Sequence, residues 1–159
     1  MRGVYKQPFL DANIFFAAVA SDKGGSYFIL ELAKQGKIFP STSAYALSEA
    51  EKNISVKLGK EKLRHHHENL ISMPLHIQST LDVGVDRWIE KMALDYLPGK
   101  DAPILISAMN AHSTHLITLD RKHFLNNEDL RDILENVKIL TPGDFIKEFL
   151  ENPESFQVD

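Results

Sequence analysis

The sequence predicts an α/β fold, a single three-layer α/β/α domain with a central parallel sheet of about five strands. Three observations predict it. Short apolar runs alternate with longer segments of 3.6-residue periodicity, the pattern of repeated βαβ units. The short runs are nearly continuous in apolar residues, as expected of strands covered on both faces. Acidic residues follow directly on two of these runs, where parallel sheets present their ligand-binding groups.

The strand-like runs are residues 4–10, 37–40, 75–77, 115–119 and 137–140. Residues 13–20 and 26–35 read as helices on either side of the Lys23-Gly24-Gly25 break. A helix over 43–58 stops at Gly59, and another over 60–71 is closed by Pro74. Residues 83–96 form a helix ending at Pro98-Gly99, and 102–112 form a compact apolar one. The last helix starts near Pro142, a favourable first-turn residue, and runs to about 150. Residues 1–152 are read as one domain and 153–159 as a frayed tail.

At 159 residues the chain suits one domain, and 43% hydrophobic with 25% charged residues is the mix of an ordinary globule. The absence of cysteine excludes disulfides, thiolate metal sites and cysteine nucleophiles. No apolar run approaches the roughly 18–20 residues that span a bilayer, so no membrane association and a cytoplasmic location are expected. The net charge of −4 means that any nucleic-acid footprint is local. There is no Gly-x-Ser-x-Gly elbow and no glycine-rich phosphate loop.

Four acids carry the chemistry. Asp11 follows the first strand at once, in Asp11-Ala12-Asn13. Asp120 follows the run Leu116-Ile117-Thr118-Leu119 in the same way. Asp101 opens an apolar helix after Pro98-Gly99-Lys100, and Glu49 lies in a helix beside Leu47 and Ala50. Singly, an Asp before a helix is often an N-cap, and a helical Glu is usually a solvated surface residue. Jointly, several carboxylates at one sheet edge call for a cation, because buried charge is costly without one. Asp11, Glu49, Asp101 and Asp120 are therefore expected to converge as one divalent-metal site.

The same residues resemble the motifs of the PIN-domain family. Asp11-Ala12-Asn13 is similar to its first motif. The stretch from Ser43 to Ile54, with Glu49, resembles the second, and Lys100-Asp101-Ala102-Pro103-Ile104-Leu105 the third. Thr118-Leu119-Asp120 resembles the fourth, a Thr-x-Asp closing a strand. The resemblance runs from Phe9 to Pro142 but finds no landmark between His65 and Tyr96. Glu51 is a rival to Glu49, but residues two apart on a helix point about 200° away from each other.

That resemblance implies a ribonuclease dependent on Mg²⁺ or Mn²⁺, leaving 5′-phosphate and 3′-hydroxyl ends. It places catalysis and metal binding on Asp11, Glu49, Asp101 and Asp120, with Asp11 and Asp101 as main ligands. Asn13 and Thr118 would hold ligands or waters by hydrogen bonds. Arg121, Lys122 and Lys52 are the candidate RNA contacts. The best-known members are VapC-like toxins of toxin–antitoxin pairs, which implies RNA as substrate, a small antitoxin partner and a homodimer. Phe15, Phe16, Tyr27 or Trp88 would supply exposed apolar contacts for the dimer. An RNA-processing nuclease and a non-catalytic RNA-binding module are the alternatives. The run His65-His66-His67 is expected at the surface, since consecutive helical residues splay 100° apart and cannot converge on one ion.

Overall fold

The computed structural model describes residues 5–79 and 87–157. Five short strands form one all-parallel sheet: β1 (Pro8–Leu10), β2 (Ser41–Ser43), β3 (His76–Gln78), β4 (His115–Ile117) and β5 (Lys138–Leu140). Their spatial order is β3-β2-β1-β4-β5. Phe9 pairs with Ser41 on one side and with Leu116 on the other. The chain winds outward from β1 in both directions, so the crevice at the carboxyl ends of β1 and β4 is the topological switch point.

Between strands lie α1 (Ala12–Ala20), α2 (Gly25–Lys34), α3 (Ala44–Leu58), α4 (Lys60–Ile71), α5 (Arg87–Tyr96), α6 (Ala102–Asn110) and α7 (Glu128–Ile133); α8 (Pro142–Glu151) follows β5. Helices α1 to α4 pack on one another, and α5 packs on α6. The core between them holds Phe9, Leu10, Ile14, Phe15, Leu116 and Ile117, all fully buried. Gly59 ends α3 and starts α4 with φ +89°, a left-handed conformation that a side chain would strain. No helix among the described residues is long and apolar enough to cross a membrane.

Several sequence expectations shift. The strand expected at 37–40 lies instead at Ser41–Ser43, a buried but hydroxyl-rich segment. Its polarity is tolerated because Thr42 donates from Oγ1 to the carbonyl of Leu10 at 2.8 Å, and Ser43 caps α3 through Ala46 N–H at 3.0 Å. Hydroxyls satisfied in this way hide a strand from an apolar-run reading. Helix α7 was not expected from the sequence. Residues 83–86 of the expected helix and residue 4 of the first strand lie outside the described residues.

Residues 153–156, at the start of the expected tail, fold back on the domain. Pro153–Phe156 forms a 3₁₀ turn, and Lys6 N–H donates to the Ser155 carbonyl at 2.7 Å. Phe156 is fully buried against the rings of Phe145, Phe149 and His115. The histidine run also departs from expectation, since His66 is buried at 1% exposure with its ring edge-on to Phe15 at 5.8 Å. Phe15 itself is fully buried and offers no surface for a partner, whereas Trp88 is 60% exposed.

Candidate functional site

Asp11 is the N-cap of α1 and the residue that leaves β1. Its Oδ1 accepts from Ala12 N–H at 2.7 Å and its Oδ2 from Thr118 Oγ1 at 2.8 Å. Asn13 Nδ2 lies 3.4 Å from the same Oδ2 and 3.2 Å from Thr118 Oγ1. Asn13 Oδ1 in turn accepts from Leu119 N–H at 3.1 Å, and Thr118 Oγ1 accepts from Asp120 N–H at 3.0 Å. The segments leaving β1 and β4 are thus laced together by three side chains.

Asp11 is only 5% exposed. Burial pushes its carboxyl up to about 6, against the hydrogen bonds from Thr118 and Ala12 that favour the charged form. The charges of Glu49 and Asp120 raise it further. Tyr45 on α3 reports the same field: burial raises its phenol, and so do the charges of Glu49, Asp101 and Asp11. Its hydroxyl donates to the Lys100 carbonyl at 2.7 Å, tying α3 to the turn that presents Asp101. Glu49 and Asp120 thus bear on Asp11, and Asp120 bears on Asp101, while the ligand-type atoms within 4.8 Å of one another among the described residues belong to Asp101, Asp120 and His123 and include neither Asp11 nor Glu49.

Glu49 is exposed on α3, and its charge bears on Asp11 and Tyr45. Glu51 points elsewhere, with Oε2 3.8 Å from His67 Nε2 on α4. Asp101 precedes α6 in the N-cap position but makes no side-chain cap bond. Asp120 does cap the next turn, accepting from His123 N–H at 3.0 Å. That turn, Arg121–Leu125, is a single π-helical turn closed by Leu125 N–H to Asp120 O at 3.0 Å. It buries Phe124 fully and leaves Arg121 and Lys122 exposed beside Asp120. Lys52 sits apart, in a groove between α3, α4 and β3 with Glu51, Leu63 and Ile77.

His123 enters the cluster through this turn. Its Nδ1 lies 3.1 Å from Asp120 Oδ2 and 3.2 Å from Asp101 Oδ2. The contact with Asp101 is close enough for an ion pair but lacks hydrogen-bond geometry, so Asp101 Oδ2 is buried without a donor. Burial raises the Asp101 carboxyl, Lys100 and His123 oppose this, and Asp120 adds to it. His123 lies outside the residues that the sequence motifs single out. The i, i+3 spacing on a helical turn was the signal that could have found it.

No protein-family model matches the sequence, and no curated protein matches it significantly. Solved structures do match the fold. A DNA-bound VapBC from Salmonella typhimurium superimposes with a TM-score of 0.60 over 86% of this chain and 98% of that one, at 13% identity. VapBC2 from Rickettsia felis, bound to a promoter DNA fragment, gives 0.58 over 85% and 98%, at 16% identity. The chain has a PIN-like fold. VapC20 of Mycobacterium tuberculosis, a Sarcin-Ricin loop cleaving toxin, gives 0.50 over 73% of this chain and 92% of that chain, at 14% identity. Within this PIN-like fold, Asp11 and Asp120 leave the switch-point strands β1 and β4, and His123 links Asp120 to Asp101.

Proposed function

We propose that this protein is a divalent-metal-dependent endoribonuclease acting as the toxin of a toxin–antitoxin pair. The observation that carries the metal site is the buried Asp101 Oδ2 without a hydrogen-bond donor, close to Asp120 and in the field that also bears on buried Asp11. Buried oxygens of this kind are costly unless a cation satisfies them. The donor set is mostly carboxylate oxygen, which suits Mg²⁺ or Mn²⁺. Asp11 and Asp101 would be the main ligands, with Glu49 and Asp120 completing the site directly or through water.

When bound, such an ion supplies polarisation of a phosphoryl oxygen and acidification of a water. The chain's own residues do the rest. Thr118 and Asn13 hold the Asp11 carboxylate in one orientation, so that no reorganisation is needed as charge develops on the phosphate. Asp120, held by its cap to His123 N–H, keeps Oδ2 turned toward Asp101 and His123. Arg121 and Lys122 stand at the rim, where they can grip the phosphate backbone and fix its register. Lys52, set apart in its groove on α3, would be a separate contact to the backbone.

RNA as substrate, and the toxin role, rest on two supports: the sequence motifs and the likeness to VapC and VapBC structures. The partners that follow are a small antitoxin and a second copy of the chain, in the cytoplasm. The test is cleavage of a mixed RNA pool by the purified protein with Mg²⁺ or Mn²⁺, with Asp11→Asn as control. Expression should arrest growth, and co-expression of an adjacent small gene should relieve it. RNA cleavage that survives Asp11→Asn would remove the site from the reaction.

A further inference from the structure

We infer that His123 is a nitrogen ligand of the bound ion and biases the site toward Mn²⁺ over Mg²⁺. This rests on the metal-site reading above, but not on RNA being the substrate.

One donor atom each from Asp101, Asp120 and His123 lie within 4.8 Å of one another. Nδ1 of His123 stands 3.1 Å from Asp120 Oδ2 and 3.2 Å from Asp101 Oδ2. Octahedral ligands at about 2.1 Å from an ion are separated by about 3.0 Å along each edge. Both nitrogen–oxygen separations therefore match the edges of a metal's coordination shell.

The alternative role for His123 is that of a protonated counter-ion to the two acids. Its geometry serves that role poorly. A single Nδ1–H can be aligned with one carboxylate oxygen, and here it satisfies Asp120 while Asp101 Oδ2 stays without a donor. An ion in the position facing all three atoms would satisfy both acids and the imidazole lone pair together.

The ring is also set in place by the backbone. The His123 backbone N–H donates to Asp120 Oδ1, and the next residue, Phe124, is buried in the core. The π-helical turn is what brings Nδ1 back over the aspartates, and turns of this kind recur at functional sites.

The chemical consequence concerns selectivity. Mg²⁺ favours shells of oxygen and water, whereas imidazole suits transition metals. Replacing one oxygen of an all-carboxylate shell with imidazole nitrogen weakens the relative claim of Mg²⁺ and strengthens that of Mn²⁺.

The experiment uses the full chain, wild type beside His123→Ala and His123→Gln. Mn²⁺ binding is followed by loss of the free-ion electron paramagnetic resonance signal, and Mg²⁺ binding by calorimetry. The expected result is a Mn²⁺ affinity reduced about 10-fold or more in both variants, on the scale of losing a ligand interaction, with Mg²⁺ affinity little changed. Spin-echo modulation from a directly bound ¹⁴N nucleus should appear in wild-type Mn²⁺ protein. That spectrum decides the matter even if a variant folds poorly. Absence of the ¹⁴N signal, equal losses for both metals, or tighter binding of both in the variants would overturn the proposal, the last because it marks His123 as a competing counter-ion. Failure of the wild-type protein to bind either ion would instead overturn the metal-site reading itself.

Discussion

Thr118 Oγ1 donates to Asp11 Oδ2 at 2.8 Å, joining the segments that leave β4 and β1 through their side chains. Both residues are buried, and the same hydroxyl oxygen accepts from Asp120 N–H. Thr118→Val keeps the shape of the side chain but removes the shorter of two hydrogen bonds to Asp11 Oδ2 and strands the Asp120 N–H. Loss of a hydrogen bond to a charged group costs about 1.5–3 kcal/mol. The denaturation midpoint should fall accordingly, and Thr118→Ser should recover most of it. Equal stability of wild type and Thr118→Val would show that this bond contributes nothing.

The pH dependence of the metal-free protein should contain two opposed slopes. Asp11, raised by burial to about 6, keeps its proton in the folded state where the unfolded chain has lost it. Stability from this group therefore falls as pH rises from about 4 to 6. His66, lowered by burial and by the neighbouring His67 to about 4, stays neutral in the fold while the unfolded chain takes up a proton below its ordinary 6.5. Stability from His66 is lost as pH falls through that window. The two effects oppose each other in wild type. Asp11→Asn should expose a profile rising with pH and add on the order of 2 kcal/mol at neutral pH. His66→Leu should expose the falling one. Urea titrations between pH 4 and 7 measure both, and parallel profiles in all three proteins would remove both assignments.

The parts of this site legible in the sequence were those written in residue order. Asp11 and Asp120 could be found because each directly follows an apolar strand. The all-parallel sheet was legible because β1, β4 and β5 are apolar runs flanked by periodic helices. Strand β2 lies later than the apolar run suggests because its residues are Ser41, Thr42 and Ser43, with the hydroxyls of Thr42 and Ser43 satisfied by hydrogen bonds, and hydroxyls look like a loop. The burial of His66 depends on which side of α4 meets α1, and three consecutive histidines give no sign of that. His123 reaches the acids only because Arg121–Leu125 takes a π-helical turn, whose bonding pattern no residue type announces.

At the opposite end of the sheet, Glu148 on α8 should act as a structural hub. Its Oε1 lies 2.7 Å from Lys6 Nζ and 2.9 Å from His115 Nε2, with Lys138 Nζ at 3.6 Å. Burial alone would raise its carboxyl, but the hydrogen bonds from Lys6 and His115 override this and hold it down at about 2. The stability it confers is present above the ordinary carboxylate range and is lost as pH falls toward 2. Glu148→Ala leaves buried His115 and Lys6 without their acceptor, at a cost of about 3 kcal/mol. Because Phe156 packs on His115, the C-terminal turn should loosen as well. Faster amide exchange at Ser155 and Gln157 would report this, and unchanged exchange would confine the effect to the ion pairs.

The two aspartates that precede helical turns should respond differently to the same substitution. Asp120 uses its side chain as a cap, accepting from His123 N–H, and Asn caps nearly as well. Asp120→Asn should therefore leave the metal-free stability close to that of wild type. Asp101 makes no cap bond, and its carboxyl is raised by burial and by Asp120. Asp101→Asn loses no cap and removes a charge that the fold disfavours, so the metal-free protein should become more stable at neutral pH. The response to Mn²⁺ should reverse the order. An ion at 100 times its dissociation constant stabilises wild type by about 2.7 kcal/mol, and that gain should vanish in Asp101→Asn. Thermal melts with and without Mn²⁺ separate the two effects. If Asp101→Asn kept the full Mn²⁺ gain, the buried oxygen at position 101 would not be a ligand. If it destabilised the metal-free protein instead, Asp101 would be serving the fold rather than an ion.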